Sequence, residues 1–181
     1  MSLATTVIEP ISFREALGHY ASGITVITSE AENQPLGFTC QSFYSVSMDP
    51  PLVSFSVKAN SYSYPHIRQA GRFAVNILSG KQAGIANQFA RQGSDKWRGV
   101  KWQPSPLGNP LIDGSLHWLD CEVHAEYAAG DHLIVIGEVK ALKLQHFLPP
   151  SLQHSFQHSA ATQPLLYFKG QYCSLAEPAS L

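Results

Sequence analysis

Charge is what this sequence has least of. Lys, Arg, Asp and Glu supply 14% of its 181 residues, against roughly a quarter in an average soluble domain. Twelve basic and thirteen acidic side chains leave a formal charge of -1. No basic excess exists to release counterions from a phosphate backbone, so nucleic acid is not an expected partner. No acidic excess marks the chain as disordered. No apolar run approaches the roughly 18 residues of a membrane span, so no membrane partner is expected either. The opening MSLATTVIEP lacks the basic-then-apolar order of a secretory leader. Cysteine is scarce: Cys40, Cys121 and Cys173 are odd in number and show no CxxC spacing. That fits buried thiols in a reducing compartment, the cytoplasm, better than a disulfide scaffold.

Several chemical signatures are missing too. The thirteen glycines never form GxGxxG, GxxxxGK[ST] or GxSxG, which removes the usual dinucleotide fingerprint, the phosphate loop and the serine-hydrolase elbow. Eight histidines invite a metal reading. However, His117 and His124 differ in parity along one strand, and His154 and His158 fall in a polar loop with no carboxylate or thiol nearby. No metal site is expected.

What remains is apolar substance in short alternating runs, 44% of the chain, enough to fill the core of one domain over residues 1–181. Residues 12–22 repeat at helical spacing, with Phe13, Ala16, Leu17 and Tyr20 on one face, Ser12 and Glu15 as a capping box, and Gly23 as the stop. Strands are expected at 24–28 and 36–43 around a polar turn. Residues 52–58 alternate strictly, with Val53, Phe55 and Val57 facing inward. A short helix at 61–70, a strand at 72–78 and a helix at 81–90 follow. Residues 93–114, rich in Gly, Pro and Trp, read as a long irregular excursion. Leu119, Cys121, Val123, Ala125 and Tyr127 alternate on one face of the next strand. A hairpin turn at 128–131, with Gly130 at positive φ, leads into a central strand at 133–139. Residues 149–163 read as a mobile loop before a last strand at 165–168. Six or seven strands, two or three short helices and mostly hairpin connections predict a mainly β, antiparallel barrel with peripheral helices.

The chemistry concentrates in Gly37–Pro51, GFTCQSFYSVSMDPP, and in the next strand with its exit, Ser54, Ser56, Lys58, Asn60 and Ser61. A face lined with short donors and backbone N–H groups can hold a flat heteroaromatic and a phosphate without a glycine loop. On composition alone the same serines also read as solvated strand faces and turns. Cys40 has no cationic neighbour in sequence to make its thiol reactive. Trp97, Trp102 and Trp118 can stack on a ligand or cap a core.

These segments resemble a known family. Phe13–Thr28, Gly37–Val57, RFAVNIL at 72–78, Phe89-Ala90 with Asp95-Lys96-Trp97, GDHLIVIGEV at 130–139 and PLLYFKGQY at 164–172 are similar, in order, to the flavin reductase-like, FMN-binding split-barrel proteins. The pairing of TxxSFxSVSxxPP with GDHxIxxGEV carries the most specificity. The resemblance implies a six- or seven-stranded, Greek-key-like antiparallel barrel and a homodimer that binds FMN or FAD near the subunit interface. It implies that NADH or NADPH delivers hydride to the flavin, and that reduced flavin passes to a flavin-dependent monooxygenase. By position it implies Thr39, Cys40 and Gln41 along the ring system, and Ser45, Val46 and Ser47 at the ring edge or tail. Ser56, Lys58, Asn60 and Ser61 would hold the phosphate end, with Phe89 and Ala90 touching the flavin from a helix end. Tyr167 would border the pocket, and His132 would face the nicotinamide side. His132 also reads as a plain turn residue bonding the backbone. Hydride transfer needs no protein acid or base, so the implied role of His132 is orientation. Two departures stand out: residue 41 is Gln where Asn or a smaller residue is commoner, and 149–163 is longer than the family's link. A non-catalytic flavin carrier or sensor, or an FMN-dependent oxidase, would use the same barrel.

Overall fold

The computed structural model describes residues 8–93, 95–143 and 163–175. The expected loop at 149–163 lies, except for its last residue, outside the described residues. The elements in chain order are α1 (Pro10–Gly18), β1 (Ser22–Gly23), β2 (Thr25–Ala31), β3 (Gln34–Cys40), β4 (Phe43–Met48), β5 (Pro51–Lys58), α2 (Tyr64–Ala70), β6 (Arg72–Ile77), α3 (Ala83–Ala90), β7 (Trp102–Pro104), β8 (Pro110–Ile112), β9 (His117–Ala129), β10 (His132–Leu142), β11 (Leu166–Phe168) and β12 (Gln171–Cys173). No helix among the described residues is long and apolar enough to cross a membrane.

Seven strands form one antiparallel sheet in the order β3-β2-β6-β9-β10-β5-β4. Its two end strands, β3 and β4, are consecutive in sequence, with only Gln41 and Ser42 between them. Two edges joined by so short a link must return to each other, so the sheet curls into a barrel that stays split at that corner. Ser42 fastens the corner: its hydroxyl donates to the Ser56 carbonyl at 3.1 Å and accepts the Ser56 N–H at 3.0 Å. Inside the barrel, Phe55 meets Phe38 across the split at 5.9 Å and stacks edgewise on Phe73 at 5.1 Å and Tyr64 at 6.2 Å. Val53, Phe55 and Val57 are all buried, as their alternation predicts. Each contributes about 1.5–3 kcal/mol of burial. A second core lies outside the barrel, where Ile24, Val26, Leu78, Ala86, Phe89, Ile112 and Leu165 join α3 to β2.

Several sequence expectations need correction. The first helix is Pro10–Gly18, capped at Glu9 without a side-chain hydrogen bond, so the Ser12–Glu15 capping box does not form. Proline at its first turn fixes the start two residues earlier. Its apolar residues are exposed, Phe13 at 54% and Leu17 at 57%. β4 was not expected as a strand. Its serine-rich run hides the signal because one of its sides is open. The alternation of β9 breaks near His124, where its pairing with β10 shifts register between Ile136 and Gly137. A bulge reverses which parity faces the core. Hence Tyr127 is exposed at 60%, while Glu126 turns inward and accepts bonds from the Tyr64 hydroxyl and Arg68. Asp120 is fully buried, held by the Leu107 N–H at 2.8 Å and the Asn109 amide at 2.7 Å. Those bonds, with the β7–β8 hairpin, give structure to the expected irregular excursion. The central strand β10 does lie between β9 and β5, but Ile134 on its outer face is 37% exposed. Gly130 takes φ 64° at the β9–β10 turn, as expected.

Candidate functional site

An open cleft of about 2020 Å³ runs along the split. One wall is β3, which among the described residues pairs only with β2 and so presents its other edge. Opposite are the exit of β5 and the β9–β10 turn. The floor beyond β3 is the end of α3 and the turn at 95–98.

Of the residues singled out in the sequence, Thr39, Cys40, Gln41, Ser56, Lys58, Asn60, Ser61, Phe89, Ala90, His132 and Tyr167 all line this one cleft. Thr39 is anchored there by its hydroxyl, which donates to the Ala86 carbonyl at 2.6 Å. The Cys40 thiol is buried and its pKa is raised by that burial, so it is a wall and not a nucleophile. Its carbonyl accepts the Thr25 hydroxyl at 3.0 Å. Lys58 stands directly opposite His132 in the β5–β10 ladder. The chain turns after it, with Ser61 N–H on the Lys58 carbonyl at 2.9 Å and the Ser61 hydroxyl accepting the Tyr64 N–H at 3.3 Å. His132 bonds Asp131 Oδ1 through Nδ1 at 2.8 Å, and that bond draws the Asp131 pKa down. An anion at Nδ1 selects the tautomer with the proton on Nδ1 and leaves Nε2 for a ligand. Tyr167 stacks edgewise on Tyr172, whose hydroxyl bonds Asn87 at 3.1 Å.

The structure does not bring Ser45, Val46 and Ser47 to the cleft of their own chain. They lie on β4, and none of the three is among the residues that line the cleft. Trp97 does line the cleft, edge-on to Phe89 at 4.9 Å and to Trp102 at 5.8 Å. Trp118 sits elsewhere, opposite Asn76 in the β6–β9 ladder.

Sequence reasoning missed the cleft's charge. Arg14, Lys58, Arg91 and Lys96 line it against one carboxylate, Asp95, in a chain whose formal charge is -1. These cations come from α1, β5, α3's exit and the following turn, and only Arg91 and Lys96 are near one another in sequence. Gly37 shapes the same wall. A Cβ there would lie 2.9 Å from Phe89 Cε1 and 3.0 Å from the Ile27 carbonyl, which is closer than packed carbon tolerates.

A free strand edge, hydroxyl and amide donors, an excess of cations and one imidazole facing a lysine form a receptor for a flat, polar-edged, anionic ligand. That is the donor set a flavin mono- or dinucleotide requires, and the residues present fit it. On that site and fold the class is a ligand-binding antiparallel barrel, and comparison with known proteins is more specific. The flavin reductase like domain matches residues 17–176. The chain is 39% identical over 168 residues to the reductase subunit HsaB of a flavin-dependent monooxygenase of Mycobacterium tuberculosis, covering 93% of this chain and 83% of that protein. Nitrilotriacetate monooxygenase component B from Mycobacterium thermoresistibile superposes with a TM-score of 0.81 at 39% identity, over 94% of this chain and 91% of that one. The NADH:FAD oxidoreductase SgcE6 of Streptomyces globisporus, solved with NAD and FAD fragments, superposes with a TM-score of 0.81 at 28% identity, over 97% of this chain and 100% of that one. The chain belongs to the flavin reductase-like family.

Proposed function

We propose that this protein is an NAD(P)H:flavin oxidoreductase that takes FMN or FAD into the β3–β5 cleft and supplies reduced flavin to a flavin-dependent monooxygenase. The observation that carries the reading is the convergence of eleven sequence-selected residues on one cationic cleft. Two relatives, HsaB and the reductase component of a trigonelline monooxygenase from Acinetobacter baylyi, are named as reductase parts of flavin-dependent monooxygenases.

The flavin, when bound, supplies the hydride-accepting chemistry. The protein's part is placement. Thr39, Cys40 and Gln41 offer the edge of β3 to the ring system. Lys58, Asn60 and Ser61, with Ser56, offer charge and geometry to the phosphate end. His132, its Nδ1 tied to Asp131, would orient the nicotinamide, which supplies the hydride. Phe89 and Ala90 close the helix side, and Tyr167 borders the opening.

The working unit is a homodimer, in the cytoplasm. β4 presents Tyr44, Val46 and Met48 to solvent, Met48 at 88% exposure, on a strand whose outer edge is unpaired among the described residues and that a second copy would cover. Such a copy would carry Ser45, Val46 and Ser47 toward a cleft they do not reach in their own chain. The thiols of Cys40 and Cys121 are buried and unpaired, as suits a reducing compartment.

The test is the purified protein's stoichiometry and redox activity. NADH or NADPH consumption that requires added FMN or FAD supports the reading. One tightly held flavin per chain with no pyridine-nucleotide oxidation points instead to a carrier or sensor. Substrate-dependent oxygen uptake on bound FMN points to an oxidase.

A further inference from the structure

Lys96 has no task in the fold that requires a charge. Its ammonium lines the cleft beside Phe89 and Ala90 and donates to the Gly37 carbonyl at 3.1 Å, a neutral acceptor on the β3 wall. It forms no ion pair among the described residues. The neighbouring carboxylate, Asp95, is turned to the backbone, where Oδ1 accepts the Trp97 N–H at 3.3 Å. Half-burial lowers the Lys96 pKa, and no anion compensates it. The remaining charges on this side of the cleft are also cationic: Arg14 and Arg91 line it with Lys96. The position is built and not incidental. Gln88 Nε2 donates to the Lys96 carbonyl at 2.8 Å and to that of Arg98 at 3.0 Å, and Trp97 is wedged between Phe89 and Trp102. The lysine's backbone is thus fixed on α3, and its side chain on β3.

A half-buried cation held on a neutral carbonyl beside a ligand cleft favours whichever form of the ligand is negative. Hydride transfer creates that difference. NAD(P)H gives up a hydride, two electrons and one proton, and becomes the oxidised pyridinium. A neutral ring system that accepts the hydride becomes a monoanion. We infer that Lys96 is a positioning and charge-selecting residue of the reductase, which makes this cleft bind the two-electron-reduced flavin in preference to the oxidised form. The inference rests on the flavin occupying the β3–β5 cleft. It assigns Lys96 a role separate from that of Lys58, because oxidised and reduced flavins carry the same phosphate and only the ring charge differs.

The experiment compares dissociation constants of oxidised FMN and of dithionite-reduced FMN, the latter anaerobically, for the wild type and for Lys96→Met, Lys96→Gln and Lys96→Arg. Binding is read from quenching of tryptophan fluorescence, for which Trp97 on the cleft wall is the reporter. Removing the charge should weaken reduced FMN about tenfold relative to oxidised FMN, within the range an adjacent charge commands. Lys96→Arg should restore the ratio. Lys96→Gln keeps a donor for the Gly37 carbonyl, so a ratio lost in both Gln and Met variants belongs to the charge. Equal weakening of both forms, or no change in either, would overturn the inference. A melting curve on each variant separates misfolding from lost binding. Ala90→Trp, at an exposed helix-end position on the cleft wall, is the control for location. If it leaves both constants unchanged, the flavin is not in this cleft, and the functional reading fails together with the role of Lys96. If it abolishes binding while Lys96→Met leaves the ratio intact, only the role of Lys96 fails.

Discussion

Two residues define what single side chains contribute to this cleft. His132 offers Nε2 to a ligand only because Asp131 holds Nδ1 at 2.8 Å. Since hydride passes between cofactors without a protein proton donor, His132→Ala should slow turnover about tenfold, the equivalent of one lost orienting contact, with unchanged affinity for flavin. Stopped-flow reduction by NADH at saturating flavin measures this directly. Complete loss of reduction with flavin binding intact would require an obligatory chemical role instead. Gly37 acts by having no side chain. A methyl there meets Phe89 Cε1 at 2.9 Å and the Ile27 carbonyl at 3.0 Å, and the carbonyl belongs to the neighbouring strand, which cannot yield as a side-chain tip does. Gly37→Ala should therefore cost about 1–3 kcal/mol, a drop in melting temperature of roughly 2–4 °C per kcal/mol for a chain of this size. Adding Phe89→Leu should recover part of it. An unchanged melting temperature in Gly37→Ala would show that the α3–β3 wall is looser than its contacts indicate.

At the scale of elements, the sequence declared those that bury one face and concealed those that do not. β5 alternates because Val53, Phe55 and Val57 enter the core while Ser54 and Ser56 do not. The β9–β10 turn was legible from Gly130, and β10 from an apolar run that reads as a central strand, while residues from β3, β5, α3 and β10 line one cleft. β4 was concealed because an edge strand with an open side carries no burial pattern. The inward turn of Glu126 was concealed because a bulge depends on the register of a strand several residues away. The cleft's cations were concealed because α1, β5 and the stretch after α3, far apart in sequence, supply them together. The bulge has a measurable consequence. Glu126 joins the hairpin to α2 through Tyr64 and through Arg68, whose Nη2 lies 2.5 Å from Oε2. Burial pushes the Glu126 pKa up, but the hydrogen bonds from Arg68 and Tyr64 outweigh it, and the net shift is downward. A carboxylate with a depressed folded-state pKa stabilises above its unfolded value, about 4.3, and that stability disappears as pH falls through the folded value. Glu126→Gln should accordingly be less stable than the wild type at pH 7. The gap should begin to narrow below the unfolded value, about 4.3, and close only once pH has fallen through the depressed folded-state value. Urea denaturation at pH 7 and in acid checks the sign. A gap that persists undiminished into acid would mean that packing, not charge, fastens α2.

For the whole molecule, the unresolved requirement is cover for surface that one barrel cannot bury. α1 keeps Ile11, Phe13 and Leu17 exposed, and β4 keeps Tyr44, Val46 and Met48 exposed on a strand whose outer edge no other strand among the described residues pairs. A chain with 14% charged residues has few lysines to blunt such an edge, which is the usual defence of a monomer. Isologous pairing of two copies is the commonest solution. It would also explain why Ser45, Val46 and Ser47 sit in a motif so close to cleft residues yet do not line their own cleft. Light scattering should therefore give twice the 19.8 kDa of one chain. Val46→Asp with Met48→Asp places like charges against each other across a two-fold contact on β4, so it should yield monomers with an intact fold by circular dichroism. If β4 completes the partner's cleft, that monomer should also bind FMN at least tenfold more weakly, a loss of about 1.4 kcal/mol, because it lacks the hydroxyls of Ser45 and Ser47. A variant that stays dimeric would move the contact to another face, α1 being the next exposed apolar surface. A monomer with undiminished FMN affinity would show that each chain's cleft is complete in itself, and that β4 serves assembly alone.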